Sequence, residues 1–347
     1  MDTINFQLID VSKPFLDYNT RVDGVSFRNA IFIFLSNAGG SLIVDMALDF
    51  WREGKKREDL WINSKELETK IFNDKNSLEA DLRDFLFGQH IASDVVLKAV
   101  TSFMTDSKPN KPLVLSFHGT SGVGKTHVTK IIAKNLYEKG DDSDHVHKYI
   151  STYRFPHKEK LDLYRENLKQ WIRGNVSSFP RSMFIFDEMD KMHPQLIDVI
   201  KPFLDYNARV DGVSFRNAIF IFLGNAGGQV ISEVALDFMR EGRNREEITM
   251  NSKELEIKIS QSIMNEKSGF SHSSLIDHHV IDHYIPFLPL ELKHVRLCVL
   301  VEMMHLNMNR DIDLADKVAR EMPFFPEREK IFSVKGCRSI RQKLVLY

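Results

Sequence analysis

The feature that most constrains this chain is a run of eight residues between two different hydrophobic periods. Leu113 to Phe117 is an apolar stretch, with Ser116 its one polar residue, bounded by turn residues, the pattern of a buried strand. Gly119, Thr120, Ser121, Gly122, Val123, Gly124, Lys125 and Thr126 follow and match G-x-x-x-x-G-K-[ST] at every fixed position. Beyond them Val128, Ile131, Ile132, Ala133 and Leu136 recur at helical spacing. Strand, glycine loop and helix in that order predict a phosphate cradle. Glycines let backbone N–H groups curl around phosphate oxygens, and the helix N-terminus adds a favourable field. Lys125 is the candidate cation for the β- and γ-phosphates and Thr126 the candidate Mg²⁺ ligand. His127 completes the nucleotide-binding candidates.

Two further apolar runs carry polar ends. Met183 to Phe186 leads into Asp187 and Glu188. Asp187 suits a Mg²⁺ partner acting through water, and Glu188 suits the group that orients and polarises an attacking water. Ala218 to Leu223 leads into Gly224, Asn225 and Ala226, which makes Asn225 the candidate γ-phosphate sensor. The expected cofactors are ATP and Mg²⁺.

A near-copy of the third strand lies far upstream. Residues 8–71 align without gaps to 196–259, with 48 of 64 positions identical. Asn37 is the copy of Asn225, but the first copy has neither a lysine loop nor an acidic strand end and cannot close a nucleotide site. One strand cannot satisfy its own backbone, so residues 1–77 read as a partial duplicate of 196–266 and not as an independent domain. The expected organisation is an α/β sandwich with a parallel sheet over 78–275 and a helical lid over 276–347.

Composition narrows the function classes. With 47 basic and 48 acidic residues the net charge is −1, which gives no field for nucleic acid. Two cysteines cannot form a disulfide framework. No apolar run approaches the ~18 residues of a membrane span, and the first residues carry no leader pattern.

The stretches Phe186 to Pro194 and Asp211 to Leu223 resemble the Clp-type AAA+ ATPases. More narrowly, Leu86 to His90, Gln170 to Ser177, Ser268 to Asp277, Pro286 to Glu291 and Gly336 to Arg338 resemble the torsins, over roughly residues 78–347. The resemblance implies an ATP-hydrolysing chaperone of the endoplasmic reticulum lumen and nuclear envelope that remodels protein complexes. Its implied partners are protein clients, a possible homo-oligomer, and a membrane-anchored lumenal activator that supplies an arginine finger. It makes Arg338 the sensor-2 cation, Cys298 and Cys337 a redox-sensitive pair near the nucleotide, and Glu321 part of the surface that meets the activator. Thr120 and Thr126 depart from the family, which usually has Trp and Asn there. Asn175 to Ser177 is an N-glycosylation sequon, which the resemblance turns into an expected lumenal glycan on Asn175.

Other readings stay open. Cys298 lies in an apolar helical stretch and suits an inert core thiol. Tyr153 and Phe155 sit where threading ATPases place gripping aromatics, but core packing is the expectation for both. His272, His278, His279 and His283 are expected to be surface or packing residues; 279 and 283 have helical spacing, but no third ligand joins them. Arg243 and Arg245 are the only candidates for a self-supplied finger. The alternatives are a self-activating Clp-like unfoldase and a nucleotide-gated scaffold with little turnover.

Overall fold

A computed structural model describes residues 75–155, 157–207, 209–249 and 280–347, together with a short antiparallel pair, Arg21–Val22 with Val25–Ser26. Residues 75–347 form one compact unit. Most of the duplicated segment, Asn37 included, lies outside the described residues, as do His272, His278 and His279.

The unit opens with α1 (Lys75–Phe85) and α2 (His90–Thr105), then β1 (Leu113–His118) and α3 (Lys125–Leu136). There follow β2 (Val146–Ile150), α4 (Leu161–Ser178), β3 (Met183–Asp187), α5 (Pro194–Leu204), β4 (Ile219–Gly224), α6 (Gly228–Arg240) and β5 (His283–Pro286). The five strands make one parallel sheet in the order β2-β3-β4-β1-β5. A parallel sheet is covered on both faces, so its central strands read as continuous apolar runs. Every residue of β1 and β4 is buried. Phe184 pairs with Phe220 and Phe186 with Phe222 across β3 and β4, with ring centroids 4.9 Å and 5.6 Å apart. The edge strand β2 instead carries His147 and Lys148, which suits a strand with one open side.

The five apolar positions expected on α3 are all buried. Two boundaries need correction. Helix α1 begins at Lys75, so a domain start at 78 falls inside it. The lid was expected from 276, yet β5 belongs to the sheet. Its four residues include Pro286 and carry too little alternation to announce a strand. For the same reason His283 sits on a strand, not on a helix beside His279. The helical cluster begins near Leu290 and comprises α7 (Leu292–His305), α8 (Ile312–Arg320) and α9 (Ile340–Leu344), packed through Val295, Val299, Val318 and Ile340. A small hairpin, β6 (Phe324–Phe325) with β7 (Phe332–Ser333), sends Phe332 into the sheet core.

Burial predicts a pH response. It holds His118 down at about 4 and His294 at about 3, far below the ordinary imidazole value. The folded chain keeps both rings neutral, while the unfolded chain protonates them below about 6.5. The unfolded state therefore binds more protons between those limits, and stability is full above pH 6.5 and lost as the pH falls. Calorimetry should show a steady unfolding midpoint from pH 8 to 7 and a decline from 6.5 to 5. The loss should reach up to roughly 1.4 kcal/mol per pH unit for each histidine. An unchanged midpoint at pH 5 would contradict this.

Candidate nucleotide site

The candidate residues sit at the C-terminal ends of parallel strands, where an open α/β sheet offers its crevice. β1 ends at His118 and delivers the glycine loop; β3 ends at Asp187; β4 ends at Gly224. Gly124 caps α3 at φ 110°, a conformation that any other residue would adopt only under strain.

Lys125 is the centre. Its buried ammonium donates to the carbonyls of Gly119 (2.6 Å) and Thr120 (2.8 Å) and to Asn225 Oδ1 (3.1 Å). All three partners are neutral oxygens. Burial lowers its pKa to about 8, against the opposing pull of Asp187 and Asp190. A buried cation held only by neutral oxygens is a site built to take an anion. The structure thus brings Lys125 and Asn225 together.

Asp187 and Glu188 differ in environment. Burial raises the Asp187 carboxyl, and its Oδ1 accepts the Glu188 N–H at 2.8 Å. Glu188 stands at φ 57°, a left-handed conformation that is costly for a side-chain-bearing residue. Its carboxylate accepts from the Thr152 hydroxyl and from Lys191 Nζ (2.9 Å), and these bonds hold its pKa below the usual range. The Thr152 turn is anchored by Ser151 Oγ, which donates to the Asp187 carbonyl at 2.9 Å. Thr126 presents an exposed hydroxyl on the first turn of α3. One hydroxyl and one carboxylate are hard oxygen donors suited to Mg²⁺, which keeps several waters and takes its other ligands from phosphate. Among the described residues no cluster of three His, Cys, Asp or Glu could hold a metal by itself.

The lid closes the loop from above. Arg338 Nη1 donates to Ser121 Oγ at 2.9 Å, and the Cys337 N–H donates to the Gly122 carbonyl at 3.0 Å. Gly122 has φ 80°, and a Cβ there would fall on the carbonyl oxygen of Lys335; a Cβ on Gly336 would fall on the Gly122 carbonyl. Cys337 is disulfide-bonded to Cys298 of α7, with Cα atoms 6.1 Å apart. Val123 is buried, and its carbonyl accepts from Gln89 Nε2 at 2.9 Å. His127 lies outside the loop, its Nε2 3.1 Å from the Phe85 carbonyl.

Other candidates resolve differently. Phe155 packs against Tyr149 and Tyr164 as expected for core, but Tyr153 is 78% exposed, because the short turn after β2 points it away from the sheet. Arg245 is buried and donates to the carbonyls of Gly88 and Pro289, so it braces the fold. Glu321 accepts from the Tyr347 hydroxyl and from Lys343 Nζ (3.1 Å). Asn175 lies in the last turn of α4, with Nδ2 donating to the Trp171 carbonyl at 2.8 Å. Sequence reasoning missed Thr152, Lys191, Asp190, Gln89 and His118. Asp190 and Lys191 follow the acidic pair after one intervening residue, Met189, and that proximity was the available signal.

Comparison with known proteins agrees with this geometry. The torsin family model matches residues 62–186, and a model described as the Torsin-1A C-terminal domain matches residues 290–347; together they span more than half of the chain. Among solved structures, the chain is similar to Hsp104 in a closed state with ATPγS and FITC-casein (TM-score 0.58, 15% identity), covering 96% of this chain and 57% of that one. It is also similar to the S. cerevisiae Hsp104–ADP complex (TM-score 0.57, 16% identity), covering 98% of this chain and 59% of that one. The chain thus spans less than two thirds of the length of these relatives, and at such identities they support the fold. The first family model covers the glycine loop and the strand that leads to the acidic pair, ending at Phe186, and the second covers the cysteine–arginine loop; on that ground the chain belongs to the torsin family.

Proposed function

We propose that this chain hydrolyses ATP and uses the cycle to remodel protein complexes in the endoplasmic reticulum lumen and nuclear envelope, with full turnover supplied by a membrane-anchored lumenal partner. The observation that carries the proposal is the buried Lys125 ammonium bonded to Asn225, with Asp187 and Glu188 delivered by the next strand. In that arrangement Lys125 and the loop amides would hold the phosphates. Thr126 and Asp187 would hold Mg²⁺, which supplies charge neutralisation when bound. Glu188 would receive the proton of the attacking water, and Asn225 would orient that water. Arg338, on the lid, would report the nucleotide to the helical cluster. The Cys298–Cys337 disulfide supports an oxidising compartment, as does the sequon at Asn175. Attachment of a glycan would have to precede the Asn175–Trp171 hydrogen bond.

Calorimetry on Lys125→Ala tests the nucleotide site. Removing a buried charge that pairs with phosphate costs on the order of 2–5 kcal/mol, a fall in ATP affinity of about 30-fold or more. Equal affinity in wild type and variant would refute the phosphate cradle.

One observation favours a second reading, the self-activating unfoldase. Tyr153 is a large exposed aromatic on the turn that also carries Thr152, the partner of Glu188. In that case Tyr153 would contact the client chain.

A further inference from the structure

Asn225 is exposed at the end of β4, and a loop asparagine does not hold one position by itself. Its backbone is held from two sides. The Asn225 N–H donates to Asp190 Oδ1 at 3.1 Å, and Asp190 belongs to the short turn Met189–Lys191 that follows Glu188. The next carbonyl, that of the buried Ala226, lies 3.2 Å from Nδ1 of His118, the last residue of β1. Since β4 lies between β3 and β1 in the sheet, each neighbour sends one residue across its own end to grip the same dipeptide.

We propose that Asp190 and His118 are positioning residues that fix Asn225 against Lys125 for ATP turnover. This rests on the nucleotide reading above. The chemistry assigns the tautomer. The Ala226 carbonyl can only accept, so His118 Nδ1 carries the proton, and Nε2 then accepts from the Ser116 hydroxyl at 2.7 Å. His118 is 1% exposed, and burial holds its pKa at about 4, so the ring stays neutral at physiological pH with one N–H. Asp190 Oδ1 lies 3.4 Å from where a Cβ on Gly224 would stand, so the carboxylate sits close against the end of β4. Through this bracket the position of Asn225 Oδ1, and hence of Lys125 Nζ, is fixed relative to both Glu188 and the glycine loop. A displacement of about 1 Å at such a group costs about 10²-fold in rate.

The test uses the full chain with ATP and Mg²⁺, and four variants checked for folding by circular dichroism. Asp190→Ala removes the acceptor and Asp190→Asn keeps an oxygen there. His118→Gln places its amide near Nε2, whereas His118→Asn places it near Nδ1. Single-turnover rates should fall about 100-fold in Asp190→Ala and His118→Gln, with the ATP Kd changed less than about threefold. The Asn variants should recover at least tenfold of each loss. Loss of affinity in place of rate, or equal loss in both variants of a pair, would overturn the proposal. Two readouts need no turnover. Nitrogen NMR should find the His118 proton on Nδ1, and the Asn225 amide should exchange faster in Asp190→Ala. A proton on Nε2 of the wild-type ring would overturn the bracket even where a variant fails to fold, and unchanged exchange in folded Asp190→Ala would overturn it too. Wild-type turnover that persists in Glu188→Gln would refute the hydrolysis reading and leave those two readouts to judge the bracket.

Discussion

ATP turnover by the purified chain should be slow and should rise about 10³- to 10⁵-fold when a partner places an arginine at the γ-phosphate. A guanidinium there cancels the charge that develops on the phosphoryl oxygens, in a site that excludes water. The two candidate arginines of this chain, and Arg338 on the lid, are already held by its own groups. Arg245 is only 2% exposed, its two terminal nitrogens donate to backbone carbonyls, and it lies 3.6 Å from Glu291. Arg243 lies 3.8 Å over the Phe238 ring and pairs with Glu247 at 3.4 Å. Arg338 donates to Ser121 of the glycine loop in its own chain. The measurement is ATPase rate against protein concentration, with and without a lumenal partner domain. Stimulation should vanish when the partner's arginine becomes alanine, and also when it becomes lysine, which lacks the planar fork. Cooperative turnover without any partner, lost in Arg243→Ala, would put the self-activating unfoldase in front.

Glu188→Gln should lower the hydrolysis rate about 10²- to 10⁴-fold while ATP still binds. The two functions separate in space. Lys125 and the loop glycines carry the phosphates, whereas the Glu188 carboxylate touches only Thr152 and Lys191. A glutamine keeps the shape and one acceptor oxygen but cannot take a proton. Burst and steady-state kinetics beside a binding isotherm would check this. Comparable losses of affinity and rate would mean that Glu188 is a structural bridge between the Thr152 turn and Lys191.

The glycine loop, the acidic strand end and the sensor strand were legible because each is local. A strand that delivers a polar group, or a loop that must avoid Cβ atoms, is written in consecutive residues. What the sequence left hidden is long-range. Gln89 bridges the carbonyls of Val123 and Leu288 and accepts the Leu288 N–H, across 199 positions. His118 reaches Ala226 across 108. No spacing rule connects such pairs, because the sheet order brings them together. Tyr153 misled for a related reason. Aromatics near a core usually pack into it, and whether a four-residue turn points inward is decided by its anchors, here Ser151 on Asp187. The strand β5 was concealed by its own last residue, Pro286, and by Pro289 just beyond it.

The contact between Gly122 and Gly336 has a mechanical consequence. Backbone presses on backbone there, with no room for a methyl group on either side. Such a seam cannot work as a sliding bearing, because no side chain can change rotamer to absorb displacement. On the far side of the seam Cys337 is tied covalently to α7 through Cys298. Any tilt of the helical cluster is therefore passed to the glycine loop as through a stiff lever.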